Sequence, residues 1–74
     1  MNSRVFEELA IRINQAQRMH GRKPDYVIVG RETLIGMQYH PDGERNMSLE
    51  RFTVLDIDLV KSEKEHELEI AYKA

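Results

Sequence analysis

Two apolar rhythms occupy opposite ends of this chain, and together they constrain its fold more than any other feature. Between Ser3 and His20, the residues Val5, Phe6, Leu9, Ala10, Ile13 and Ala16 recur at intervals of three and four. That spacing predicts a helix with a single buried stripe. From Phe52 to Val60 the period falls to two, with Thr53, Leu55, Ile57 and Leu59 on one side and Phe52, Val54, Asp56, Asp58 and Val60 on the other. Such alternation predicts a strand with two unlike faces. Leu68, Ile70 and Tyr72 repeat the rhythm after a charged turn, Lys61 to His66.

Local signals set the boundaries between these segments. Asn2 or Ser3 can cap the first helix, while Glu7 and Glu8 lie near its positive end and Arg18, Arg22 and Lys23 near its negative end. Gly21 can adopt the left-handed conformation that ends a helix, and Pro24 prevents its resumption. Tyr26 to Val29 is a short run of β-favouring residues, which suits a strand central in the sheet and buried on both faces. In Arg31 to His40 the spacing of Leu34, Met37 and Gln38 predicts a short helix, although Thr33, Ile35 and Tyr39 would also suit a strand. His40, Pro41, Asp42 and Gly43 form a turn signal, with Gly43 expected at positive φ. Glu44 to Arg51 reads as a polar loop with one helical turn beginning at Ser48.

Pairing Phe52–Val60 with Glu67–Tyr72 about a turn at Glu63 and Lys64 sets Leu59 against Leu68, Ile57 against Ile70 and Leu55 against Tyr72. The expected fold is therefore α+β, with a long N-terminal helix packed on a sheet of about three strands. Its element order is helix, strand, short helix, strand, strand, and it ends in an antiparallel hairpin.

With 74 residues the chain supports one domain, spanning 1–74, around one thin core. Cysteine is absent, so neither a disulfide nor a thiolate metal site can reinforce that core. Self-association becomes the expected source of added stability, and a homo-oligomer the expected state. No apolar run reaches the roughly 20 residues of a membrane span, and no secretory leader is apparent, so a cytoplasmic protein is expected. Eleven Lys+Arg against 13 Asp+Glu give a net charge of -2, which argues against nucleic acid as the main partner.

Two surface constellations stand out. Asp56 and Asp58 on one expected strand and Glu67 and Glu69 on the other would share the outward face, with Asp58 opposite Glu69. Opposed carboxylates repel, and Mg²⁺ or Ca²⁺ would relieve that repulsion. A solvated face or a basic partner are the alternatives. On the helix, Arg4, Ile11, Arg18 and Arg22 fall on one outward strip at about 100° per residue, a candidate partner-binding surface with an apolar centre and a basic rim. Nucleic acid is the weaker reading of that strip, because Glu7 and Glu8 interrupt it and no aromatic platform accompanies it.

Catalytic signals are sparse. Gly30 follows a strand and precedes a helix, where phosphate often binds, but no fingerprint or P-loop spacing accompanies it. The tight-turn role is favoured for it. His20, His40 and His66 have no metal-binding spacing. Ser3, Ser48 and Ser62 occupy caps or turns. No cofactor or small-molecule substrate is signalled.

The stretch Pro24-Asp-Tyr-Val-Ile-Val-Gly-Arg-Glu-Thr33 resembles a pattern in small phage and prophage proteins. There a helix leads to Pro-x-x-Val-x-x-Gly and a short helix, followed by a hairpin. Similar element order occurs in peripheral sheet domains of phage capsid proteins, and the residues carrying the resemblance are Pro24, Val27, Gly30 and Thr33. It implies a phage-encoded, non-enzymatic protein concerned with particle assembly. The combined expectation is a small structural or protein-binding module that self-associates. Its alternatives are a divalent-metal module on the acidic face and a nucleic-acid-associated regulator.

Overall fold

In a computed structural model, residues 4–74 are described. The first helix, α1, runs Val5–His20. Val5, Phe6 and Leu9 are buried, and Ile13 packs against the same core, but Ala10 is exposed and Met19 is 84% exposed. The apolar stripe therefore anchors the first half of the helix only. Arg4 occupies the flanking position without a side-chain cap bond; Asn2 and Ser3, the expected caps, lie outside the described residues. At the other end the expected stop is in place. Gly21 has φ 73° and donates its N–H to the Gln17 carbonyl at 2.9 Å, closing the last turn as a left-handed cap does.

Seven further elements follow: β1 (Tyr26–Val29), α2 (Arg31–Gln38), α3 (Gly43–Asn46), β2 (Met47–Ser48), β3 (Thr53–Val54), β4 (Ile57–Lys61) and β5 (Leu68–Ala71). The short helix α2 forms as its spacing predicts, with Leu34 and Met37 buried. Among the described residues no helix is long and apolar enough to cross a membrane.

The turn after α2 is closed by Gly43 N–H donating to the His40 carbonyl at 2.9 Å. Asp42, at φ -95° and ψ 5°, has the conformation of the second central residue of a type I turn. Gly43 is not at positive φ, contrary to expectation; Gly21 is the glycine that is. Close approach explains Gly43 instead, since a Cβ there would lie 2.4 Å from the Met37 carbonyl oxygen. His40 is buried against Phe6, with their rings edge to face at 5.2 Å, and its Nδ1 accepts the Asp42 N–H at 2.9 Å.

The polar segment from Glu44 to Arg51 also departs from expectation. Its helical turn lies at the start, in α3, and Ser48 belongs to β2. The Ser48 hydroxyl instead accepts the Arg51 N–H at 3.2 Å, which helps close the loop to β3.

The largest differences concern the sheet. Among the described residues it has five strands rather than three, in the order β2-β3-β4-β1-β5. Phe52–Val60 is not one strand paired with Glu67–Tyr72. Leu55 and Asp56 both have positive φ, 50° and 64°, the signature of a type I′ hairpin turn. That turn folds β3 onto β4, setting Thr53 opposite Asp58 and Val54 opposite Ile57. A two-residue turn reverses the chain, so Val54 joins Ile57 and Leu59 in the core while Thr53 shares the outer face with Asp58. Leu55 therefore leaves the strand row predicted for it, and packs against the core from the turn instead.

Strand β1 occupies the gap between β4 and β5. Val27 is in register with Leu59 on the parallel side and with Ile70 on the antiparallel side. Parallel pairing of β1 with β4 requires a long crossover, and the stretch from α2 to β3 supplies it. The interior position predicted for β1 holds, but its burial on both faces does not. Val27 and Val29 are fully buried, whereas Tyr26 and Ile28 are only half-buried.

Leucine at φ 50° carries strain that asparagine or glycine would avoid. Replacing exposed Asp56, at φ 64°, by Gly while keeping Leu55, which packs against the core, is expected to raise unfolding stability in urea by about 1 kcal/mol. A loss of stability would contradict the turn geometry.

Candidate interaction surface

Alternation along the strands gives the sheet a second row of side chains, pointing away from the core. On it Ile28 lies between Val60 and Glu69, and Tyr26 between Asp58 and Ala71. The core gathers α1, α2 and the opposite row, and Tyr26, Ile28 and Val60 are not part of it. Val60 is 39% exposed. The Lys73 ammonium stands 5.6 Å from the Tyr26 ring centroid, within cation–π range. The face thus has an apolar centre over the β1–β4 pair, with Asp58 and Glu69 beside it and Lys73 at one end.

The four carboxylates expected to meet are dispersed. Asp56 sits in the β3–β4 turn and Asp58 on β4, while Glu67 and Glu69 lie beyond the intervening β1. Asp58 is therefore not opposite Glu69, whose neighbour across the pair is Ile28. Glu67 accepts a hydrogen bond from the Ser62 hydroxyl, and Glu69 pairs with Arg12 at 3.4 Å. Among the described residues no group of three or more His, Asp or Glu side chains is arranged to hold a metal ion.

The helix strip is only partly assembled. Ile11 and Arg18 on α1, and Arg4 just before it, are spaced by seven and exposed, with Arg4 bonded to Glu7 at 3.0 Å. Arg22 lies past the helix end and is engaged elsewhere. Its guanidinium bonds Asp25 at 2.8 Å and the Lys73 carbonyl at 3.4 Å, and stands 4.8 Å from the centroid of Tyr72. Tyr72 also stacks on His20 at 4.0 Å and donates its hydroxyl to the Arg22 carbonyl at 3.0 Å. Asp25 completes this clasp by accepting the Lys73 N–H at 2.7 Å. That backbone bond, followed by the Arg22 bond, holds the Asp25 carboxyl below its ordinary value of 3.8.

Sequence reasoning missed Arg12. It donates to the Leu68 carbonyl at 3.1 Å and reaches Glu69, so a helix side chain covers part of the open edge of β5. In the sequence its signal is its place next to Ile13, at the border of the apolar stripe of α1.

Gly30 has a structural role that the turn reading anticipates only in part. Its φ of -77° is ordinary, but a Cβ would lie 2.0 Å from the Lys64 carbonyl oxygen. The loop before β5 passes that closely because its carbonyls cap α2. Gly30 N–H donates to Glu67 O at 2.8 Å, and Glu65 O accepts Glu32 N–H at 2.9 Å and Thr33 N–H at 3.3 Å. The amides that would face a phosphate are thus satisfied by the chain itself. Beside this loop a groove of about 600 Å³ runs along α2, lined by Val5, Ile35, Met37, His66 and Leu68 among others. The histidines stay apart: His20 in the clasp, His40 in the core and His66 at this groove.

Comparison with protein-family models, with curated proteins and with solved structures finds no match.

Gly30→Ala is expected to destabilise the protein by about 2–3 kcal/mol in urea unfolding, because the new methyl meets backbone rather than a movable side chain. A change below about 0.5 kcal/mol would contradict the close approach. Since the folded-state pKa of Asp25 lies below 3.8, its contribution is fully present above that value and is lost as pH falls through the lower, folded-state value. The protection factor of the Lys73 amide, its exchange rate relative to the unstructured chain at the same pH, should therefore fall on acidification below 3.8 in the native protein and be lower at neutral pH in Asp25→Asn. Equal protection in both proteins would remove the clasp.

Proposed function

We propose that this chain is a small non-enzymatic structural module that binds protein through the outer face of its sheet and self-associates. Phage or prophage particle assembly is the setting suggested by the Pro24–Thr33 pattern. The observation carrying this reading is the uncovered apolar centre over β1 and β4, where Ile28 and Val60 stand side by side. Parallel strand pairs are ordinarily covered on both faces, and here the helices supply one cover only.

The polar side chains add support, since their contacts serve the fold. Asp25 ties the C-terminal segment to the α1–β1 link, Glu67 holds Ser62, and His40 fixes the turn before α3. Ser62, whose hydroxyl donates to the Glu67 carboxylate, also accepts the Lys64 N–H at 3.0 Å and so ties the turn before β5.

A photo-reactive phenylalanine at Val60, irradiated in the producing cell, should give a protein adduct of discrete mass. The same residue at Asn14, exposed on α1, should not. Equal labelling at the two positions, or none at Val60, would contradict the reading.

A further inference from the structure

We propose that the partner seated on the outer sheet face is a second copy of this chain, packed face to face about a two-fold axis. This rests on the reading above that the face binds protein.

On β5 the outward residues are Glu69, level with Ile28, and Ala71, level with Tyr26; the alternation continues to Glu67, whose carbonyl accepts the Gly30 N–H, on one side and to Lys73, over the Tyr26 ring, on the other. A two-fold axis lying in the interface, perpendicular to the strands and midway between Tyr26 and Ile28, exchanges those two levels. Lys73 of one copy then lies over Glu67 of the other, and Glu69 over Ala71. On β4, Asp58 lies over Val60, because these are level with Tyr26 and Ile28 respectively. No like charges are directly opposed, opposite charges meet at both ends, and Ile28 and Tyr26 cover each other at the centre. This self-complementarity is what an isologous contact requires.

The area sets the strength. Four strands about 4.8 Å apart and about 17 Å tall offer roughly 300 Å² per copy, well below the approximately 800 Å² of a standard interface. A contact this small falls in the weak, transient class, so monomer and dimer exchange.

Sedimentation equilibrium between about 10 µM and 1 mM, the range in which a weak dimer forms, tests the proposal. The mass of the native chain should rise from one copy towards two. Ile28→Lys and, separately, Val60→Lys should remain monomeric throughout, with unchanged circular dichroism. Lys73→Glu should weaken association at least about fivefold, and Lys73→Glu combined with Glu67→Lys should recover most of it. A native chain monomeric over the whole range overturns the proposal, as does a dimer indifferent to both Ile28→Lys and Val60→Lys. Should the chain be monomeric while Val60 still crosslinks to a protein of another mass, the second-copy assignment fails and the binding reading stands. Absence of both effects removes the two together.

Discussion

The structure depends on one strand held from both sides. β1 is four residues long, yet it pairs in parallel with β4 and antiparallel with β5. Without it those strands have no common neighbour, and β5 has no partner in the sheet. Val27 and Val29 are fully buried, and burial of each contributes at most about 2 kcal/mol. The ladder adds directionality to that apolar gain. Its position also places Gly30 at the strand's exit, where the loop before β5 turns in to cap α2. Strand, helix start and loop therefore form one unit, and the missing side chain at Gly30 allows it to close.

Much of this could be read from residues next to one another in the chain. The stripe from Val5 to Ile13, the stop at Gly21 and Pro24, the β-favouring run at Tyr26 and the spacing of Leu34 and Met37 all act within a few residues of themselves. They gave the right elements. The sheet order did not follow, because alternation reports which side of a strand is apolar and carries no information about its neighbour. Leu59 opposite Leu68 satisfies the pattern as well as Leu59–Val27–Ile70 does. The β3–β4 turn was hidden for a different reason. Leu55-Asp56 lacks the Asn-Gly chemistry of such turns, and Leu55 extends the alternation of its neighbours without a visible break.

The candidate surfaces inherited that error. Four carboxylates converge only if β4 and β5 are adjacent, and β1 keeps them apart. Arg22 joins the helix strip only if the helix passes Gly21. What replaces both is a surface made by insertion of β1, with Ile28 and Val60 at its centre. Charge still shapes the molecule, through local devices: Arg12 guards the β5 edge, and Asp25 binds Arg22 and the Lys73 amide. Each is exposed enough that its worth is modest, so the core rather than the ion pairs carries the fold.

The claim that β1 lies between β4 and β5 is tested most directly by cross-strand nuclear Overhauser effects. An Hα–Hα contact is expected between Val27 and Ile70, with backbone contacts between Val27 and Leu59 and none between Leu59 and Leu68, which are two strand spacings apart. An Hα–Hα contact between Leu59 and Leu68, with Val27 remote from both strands, would contradict it.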